Sequence, residues 1–192
     1  MGGNLHRKKR ALTRRGKVSF LDAAHLLHAA IPSRGWIKRT MTVTLKTNSG
    51  RNRLNIIGAY SPDDQSLISW EGRESCDAER VAHVLQLREQ ANPGKRLLLV
   101  LDNAPYNHAP PVTDAAKALR IERAEYLPPY SPNLNLIERL WKFVGRKVAR
   151  NRYHATFAAF RAAVQKVLNN LPAYRAERAS LLTERFQRFT TP

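Results

Sequence analysis

Five consecutive apolar residues, Leu97–Leu101 (LLLVL), constrain this chain more than any other feature. A strand that is apolar at every position offers no face to water, so it belongs inside a sheet covered by helices on both sides. A helix that can do this lies just upstream. Ala78–Gln90 carries Val81, Val84, Leu85 and Arg88 at helical spacing, and Asp77 can cap it. Val112–Leu119 is a shorter helix on the other side of the run.

The remaining elements agree with a layered α/β arrangement. Val18–Leu21 is a short apolar run ending at Asp22, and Met41–Leu45 (MTVTL) is rich in β-formers. Leu54–Tyr60 and Ser66–Trp70 read as strands around an SPDD turn, and because all four strand segments are consecutive, antiparallel pairing by hairpins is expected among them. After Leu101 come a short strand in AEY, a rigid proline-rich turn and a helix capped by Ser131 or Asn133. Ile137, Leu140, Trp141, Val144 and Val148 share one face of that helix, which makes Trp141 a core residue. Further helices span about Ala155–Leu168 and follow Pro172. This order predicts an α/β fold with a mixed sheet flanked by helices. Trp36 and Trp70 have no place assigned by this pattern.

The charge distribution narrows the partner. The 192 residues hold 33 Lys and Arg against 15 Asp and Glu, a formal net charge of +18. Such an excess opposes compaction by self-repulsion and calls for an anionic partner, nucleic acid first. A membrane surface ordinarily takes one basic amphipathic helix, whereas these cations are spread out. No apolar run approaches the length of a membrane span, and no secretory signal stands at the N-terminus, so a cytoplasmic protein is expected. One cysteine, Cys76, excludes an internal disulfide framework and a CxxC zinc site. Residues 1–17 hold seven cations and no acid, and thirteen cations precede Arg53 inclusive with Asp22 as the lone carboxylate. From Arg139 onward there are twelve cations against Glu177 and Glu184. Both ends therefore read as surface for phosphate. Lys8, Lys9, Arg10, Arg14 and Arg15 form a basic arm, and Arg139, Lys142, Arg146 and Lys147 form a second candidate DNA surface.

An aspartate at a strand end is ordinarily a turn or cap residue. Three features favour another role here. Asp22 stands alone among cations, Asp102 follows the most strongly buried strand, and Glu138 sits early in a helix whose start a rigid turn fixes. Ligand sites of open α/β sheets lie beyond the carboxyl ends of strands, so Asp22 and Asp102 on neighbouring strands would reach one metal ion. Three carboxylates from separate elements suit two hard cations, Mg²⁺ or Mn²⁺, and a basic surface around them suits phosphodiester chemistry.

The same residues carry a family resemblance. LDAAH (21–25), NIIGAY (55–60), LLLVLDNAPYNHA (97–109) and LPPYSPNLNLIERLWKFV (127–144), with SCDAERVAHVL (75–85), resemble the catalytic domain of the bacterial insertion-sequence six-thirty transposases. These are relatives of the mariner elements and carry a DDE endonuclease domain. The resemblance implies an RNase H-like fold over residues 17–170, preceded by the arm at 1–16 and followed by a helical tail at 171–192. It implies that Asp22, Asp102 and Glu138 form the metal-binding triad, with 35 residues between the last two. It further implies two Mg²⁺ (or Mn²⁺) ions, cleavage at transposon ends, transfer of the freed 3′-hydroxyl to target DNA, and a homodimer on DNA. The site would be nucleoid-associated in a bacterial cytoplasm.

Asn103, after the metal aspartate, is a candidate to orient it, or a turn residue. His25 matches a histidine the family shares, which gives it a place beside the site. His108 stands one place later than the histidine that many members carry. The family's N-terminal helix-turn-helix is not expected in the short charged stretch before Asp22. A non-catalytic DNA-binding remnant, another RNase H-like nuclease and a basic RNA-associated protein are the rival readings.

Overall fold

A computed structural model describes residues 16–33, 36, 38–119, 121, 123–126 and 135–179. Its strands are β1 (Gly16–Leu27), β2 (Arg53–Ser61), β3 (Ser66–Gly72), β4 (Arg96–Leu101) and β5 (Arg123–Tyr126). Its helices are α1 (Ala78–Gln90), α2 (Pro110–Ala118), α3 (Leu136–Ala149), α4 (Phe157–Asn169) and α5 (Arg175–Ala179). The strands form one mixed sheet in the order β3-β2-β1-β4-β5. β1 pairs antiparallel with β2 and β2 with β3, while β1–β4 and β4–β5 are parallel. Mixed α/β with an RNase H-like sheet is therefore the fold. Among the described residues no helix is long and apolar enough to cross a membrane.

Strand alternation divides the core into two layers. Val18, Phe20, Leu98 and Val100 face α3 and α4, meeting Leu140, Val144, Phe160 and Val164. Leu21, Leu97, Leu99 and Leu101 face α1 and α2, meeting Val81, Val84, Leu85 and Val112. β4 thus buries both faces, as its unbroken apolar run requires. Burying each such side chain contributes about 1.5–3 kcal/mol. Asp77 caps α1 through the Arg80 N–H at 3.0 Å. Trp70 packs against the second layer with the Arg80 guanidinium 4.9 Å from its ring centroid, and Trp36 is fully exposed.

Four expectations need correction. β1 does not stop at Asp22 but runs on to Leu27, because β2 continues to pair with it down to Leu27 opposite Arg53 after β4 has ended. MTVTL forms no strand. No strand among the described residues pairs with it, and its apolar side chains find no core to enter, Met41 and Val43 lying more than half exposed. The β2–β3 link is a hairpin, but β1 and β2 are joined by the long excursion 28–52. Its base is stapled to the end of α3: Ile31 exchanges backbone hydrogen bonds with Ala149 and Asn151, and Asn151 Oδ1 accepts from the Ser33 N–H. Finally, α3 starts at Leu136 with Asn135 as its N-cap residue, and the expected caps Ser131 and Asn133 lie outside the described residues.

Trp141 owes its place to a missing side chain. A Cβ on Gly58 would stand 2.7 Å from the indole carbons Cη2 and Cζ2. Gly58 lies opposite Asp22 in the β1–β2 register, so the bare backbone of β2 lets the indole settle beside Asp22. Gly58→Ala should displace Trp141 and cost about 1–3 kcal/mol. Urea denaturation with near-ultraviolet circular dichroism reads both effects.

A polar cluster closes the other end of the sheet. Lys17 Nζ donates to Asp64 and to Asn92 Oδ1, and buried Arg88 donates to Ser19 Oγ at 2.9 Å and Ser66 Oγ at 2.8 Å. Partial burial works to raise the Asp64 pKa, but the hydrogen bonds from Lys17 and Ser66 outweigh it and lower the value to about 2. A depressed carboxyl stabilises the fold above its unfolded pKa and stops doing so as pH falls through the folded value. Asp64→Asn should therefore be less stable than the parent at pH 6. The difference should vanish as the pH approaches 2, as followed by denaturant midpoints.

Candidate active site

The parallel register builds the site. Leu21 lies beside Leu101, the last pair of the β1–β4 ladder, so the next residue on each strand is an aspartate. Alternation turns Asp22 and Asp102 to the α3 face, since Phe20, Ala24, Leu98 and Val100 all pack there. α3 brings Glu138 in its first turn. Asp22 therefore lies within β1 rather than at its end, but level with the end of β4.

The three carboxylates feel one another. Burial, then Asp102, then Glu138 push the Asp22 pKa up to about 7, while the Ala23 N–H and the facing Trp141 indole pull the other way. The indole N–H comes near without making a hydrogen bond. Burial raises Glu138 as well; Lys142, with Nζ 4.0 Å from Glu138 Oε2, lowers it, and Asp102 raises it. Like charges gathered in this way favour a proton or a cation between them. All donors are carboxylate oxygens, the set that hard divalent ions take. As the side chains stand, no three His, Cys, Asp or Glu among the described residues are drawn close enough to hold an ion.

An open cleft of about 850 Å³ lies over Asp22 and Glu138, lined also by Trp141, Arg139, Lys142 and Arg146. Glu138, Lys142 and Arg146 follow one another at four-residue steps along α3, so acid and cations share a stripe. Lys147, expected on the same surface, has partners within the chain. Its ammonium sits 2.6 Å from Glu177 and over the rings of Phe143 and Tyr174, tying α3 to the chain beyond Leu171. The arm residues Lys8, Lys9, Arg10, Arg14 and Arg15 lie outside the described residues.

Two expected neighbours of the triad do other things. His25 stands on the opposite face of β1 from Asp22 by alternation; it reaches the rim of the cleft, and its Nδ1 is hydrogen-bonded to Asn55 Oδ1 at 2.7 Å. Asn103 does not touch Asp102, because its Oδ1 is paired with His108 Nε2 at 2.7 Å. The partner of Asp102 is Asn107, which donates to Asp102 Oδ1 at 2.7 Å. Asn107 occupies the place where the resemblance expects histidine. Asn135 is a second residue the sequence did not single out. Its side chain is buried and reaches the carbonyl oxygen of Leu21 at 3.5 Å, joining the start of α3 to the residue before Asp22. An Asn directly before an apolar helical run was the available signal for it.

The family model for the DDE superfamily endonucleases matches residues 17–161. No curated protein matches the chain in sequence. Among solved structures, the Mos1 transposase paired-end complex with left transposon end is 15% identical, with a TM-score of 0.62 over 97% of this chain and 61% of that one. The Mos1 mariner paired end complex with Mn is 16% identical, with a TM-score of 0.59 over 98% of this chain and 61% of that one. The Mos1 transposase catalytic domain with raltegravir and Mg is 14% identical, with a TM-score of 0.55 over 98% of this chain and 93% of that one. The chain thus spans about three fifths of the Mos1 chains in the DNA complexes. With a family model covering most of its length and this fold beneath it, the chain belongs to the DDE superfamily endonucleases.

Proposed function

We propose that this chain is the catalytic domain of a bacterial DNA transposase of the insertion-sequence six-thirty type. It cleaves DNA at transposon ends and joins the freed 3′-hydroxyl to target DNA, acting as a homodimer on DNA. The observation that carries the reading is the set Asp22, Asp102 and Glu138, in which Asp102 and Glu138 raise the affinity of Asp22 for positive charge, beside a cation-lined cleft. Asp22, Asp102 and Glu138 would hold two Mg²⁺ or Mn²⁺ ions, since all their donors are carboxylate oxygens of the kind hard divalent cations take. Such ions, when bound, activate the attacking oxygen and stabilise the leaving one.

The chain's own residues do the rest. Lys142 and Arg146 hold the phosphate backbone along α3 and steer it toward the carboxylates. Trp141 and the adjoining apolar layer keep water from one side of Asp22, and this desolvation strengthens its attraction for a cation. In the metal-free protein the same burial and like charges favour the protonated form of Asp22, which gives up its proton as pH rises through about 7.

Nicking of supercoiled plasmid in Mg²⁺ or Mn²⁺ tests the reading. Asp22→Asn, Asp102→Asn and Glu138→Gln should each fall to about one hundredth of the parent rate or lower, a loss of several kcal/mol of transition-state stabilisation. DNA affinity should hold or tighten, since each change removes a negative charge. Absence of nicking by the parent chain would favour a DNA-binding remnant instead. Replacing Lys142 and Arg146 together by Gln should make the log–log dependence of DNA affinity on salt shallower by about two.

The Asp22 shift gives a second test. A carboxyl whose folded pKa is raised stabilises the fold below its unfolded pKa and loses that contribution as pH rises through the folded value. Without metal, Asp22→Asn should therefore melt higher than the parent at pH 8, and this advantage should disappear toward pH 4.

A further inference from the structure

Asn107 is fully buried in the turn that follows β4, while the residues on either side of it are not. Its Nδ2 donates to Asp102 Oδ1 at 2.7 Å and reaches the Asp102 carbonyl oxygen at 3.3 Å. The amide orientation follows from chemistry, because an ionised carboxylate only accepts. The cost of the arrangement is visible on the other side of the amide. Asn107 Oδ1 is buried with no hydrogen-bond partner among the described residues. A buried acceptor left unpaired is destabilising, so packing alone favours an apolar residue at this position. Without Asn107, Asp102 Oδ1 would keep the longer bond from the Ala104 N–H at 3.4 Å.

The turn is braced from outside. The Tyr126 hydroxyl donates to the Asn107 carbonyl oxygen at 3.2 Å. The Tyr126 ring stacks on His108, with centroids 4.2 Å apart and planes 22° from parallel. His108 in turn meets Asn103. The side chains of Asn103 and His108 thus pair with each other and with Tyr126 rather than with the Asp102 carboxylate.

We propose that Asn107 is a positioning residue that fixes the Asp102 carboxylate, leaving its second oxygen for a divalent cation shared with Asp22. The inference rests on the metal-dependent reading above and adds to it the residue that prepares one ligand. Fixing a ligand before the ion arrives removes rotamer entropy from the binding step, and losing such a partner typically costs 10–100-fold in metal affinity or activity.

The test uses the full chain and Mn²⁺ as the probe. The Kd for Mn²⁺ is measured by calorimetry without DNA, and the Mn²⁺ concentration for half-maximal nicking is measured with DNA. Asn107→Leu should raise both by about tenfold or more. DNA affinity in EDTA should stay at the parent value. Asn107→His, which returns a ring N–H donor, should recover part of the loss. Tyr126→Phe removes one hydroxyl from a partly exposed residue and should shift Mn²⁺ binding in the same direction by less. A folded Asn107→Leu protein with unchanged Mn²⁺ affinity overturns the proposal. If that variant does not fold, an unchanged affinity in Tyr126→Phe overturns it. A parent chain that binds Mn²⁺ through Asp102 but nicks nothing would defeat the proposed function while leaving the positioning role to the binding data. A parent chain that binds no Mn²⁺ would defeat both.

Discussion

The parallel pairing of β1 with β4 is the constraint on which the molecule depends. Its last rung joins Leu21 to Leu101, two residues buried on the α1 side of the sheet. Because side chains alternate, the residues that follow turn together to the opposite side. A slip of one residue would send Asp22 under α1 and leave Asp102 alone. The apolar packing of Leu97, Leu99 and Leu101 is thus also what sets the geometry of the carboxylates.

Gathering those carboxylates works against folding, and the surrounding structure is arranged to bear it. β4 and β1 are held by two apolar layers, α3 is locked to β1 through Asn135, and Trp141 fills the space that Gly58 leaves. Cations stand at the cleft rather than between the acids. Lys142 approaches Glu138 only to 4.0 Å and remains largely exposed, so it makes the local potential less negative without neutralising the site. Repulsion retained in this way remains to be relieved by a ligand of opposite charge. The long excursion 28–52 adds to the positive surroundings, since no acid occurs between Asp22 and Asp63.

Most of the fold was legible where one period ran without interruption. The apolar run of β4, the helical spacing of α1 and the apolar face of α3 each name their own environment. Asp22 was misplaced because AAHLL has no strong strand signal. What extends β1 through it is the partner β2, and pairing between distant segments leaves no local trace. MTVTL shows the converse, a good local pattern that no partner strand among the described residues takes up. Asp102 and Glu138 could be picked out from their positions after a buried strand and a rigid turn. Asn107 could not, because nothing in APYNHA tells which of its polar side chains turns inward. The ion pair of Lys147 was illegible for a similar reason, since its acidic partner Glu177 lies far along the chain.

The unequal lengths of the central strands have one more consequence. β1 outlasts β4 by Asp22–Leu27, and over that stretch its β2 edge is paired while no strand among the described residues covers the other. The backbone groups there alternate between a ladder and the cleft. Deuterium exchange should follow that alternation, with slow and fast amides interleaved through the strand that carries Asp22. Slowing confined to the fast set on addition of DNA would locate the nucleic acid against the floor of the cleft, residue by residue.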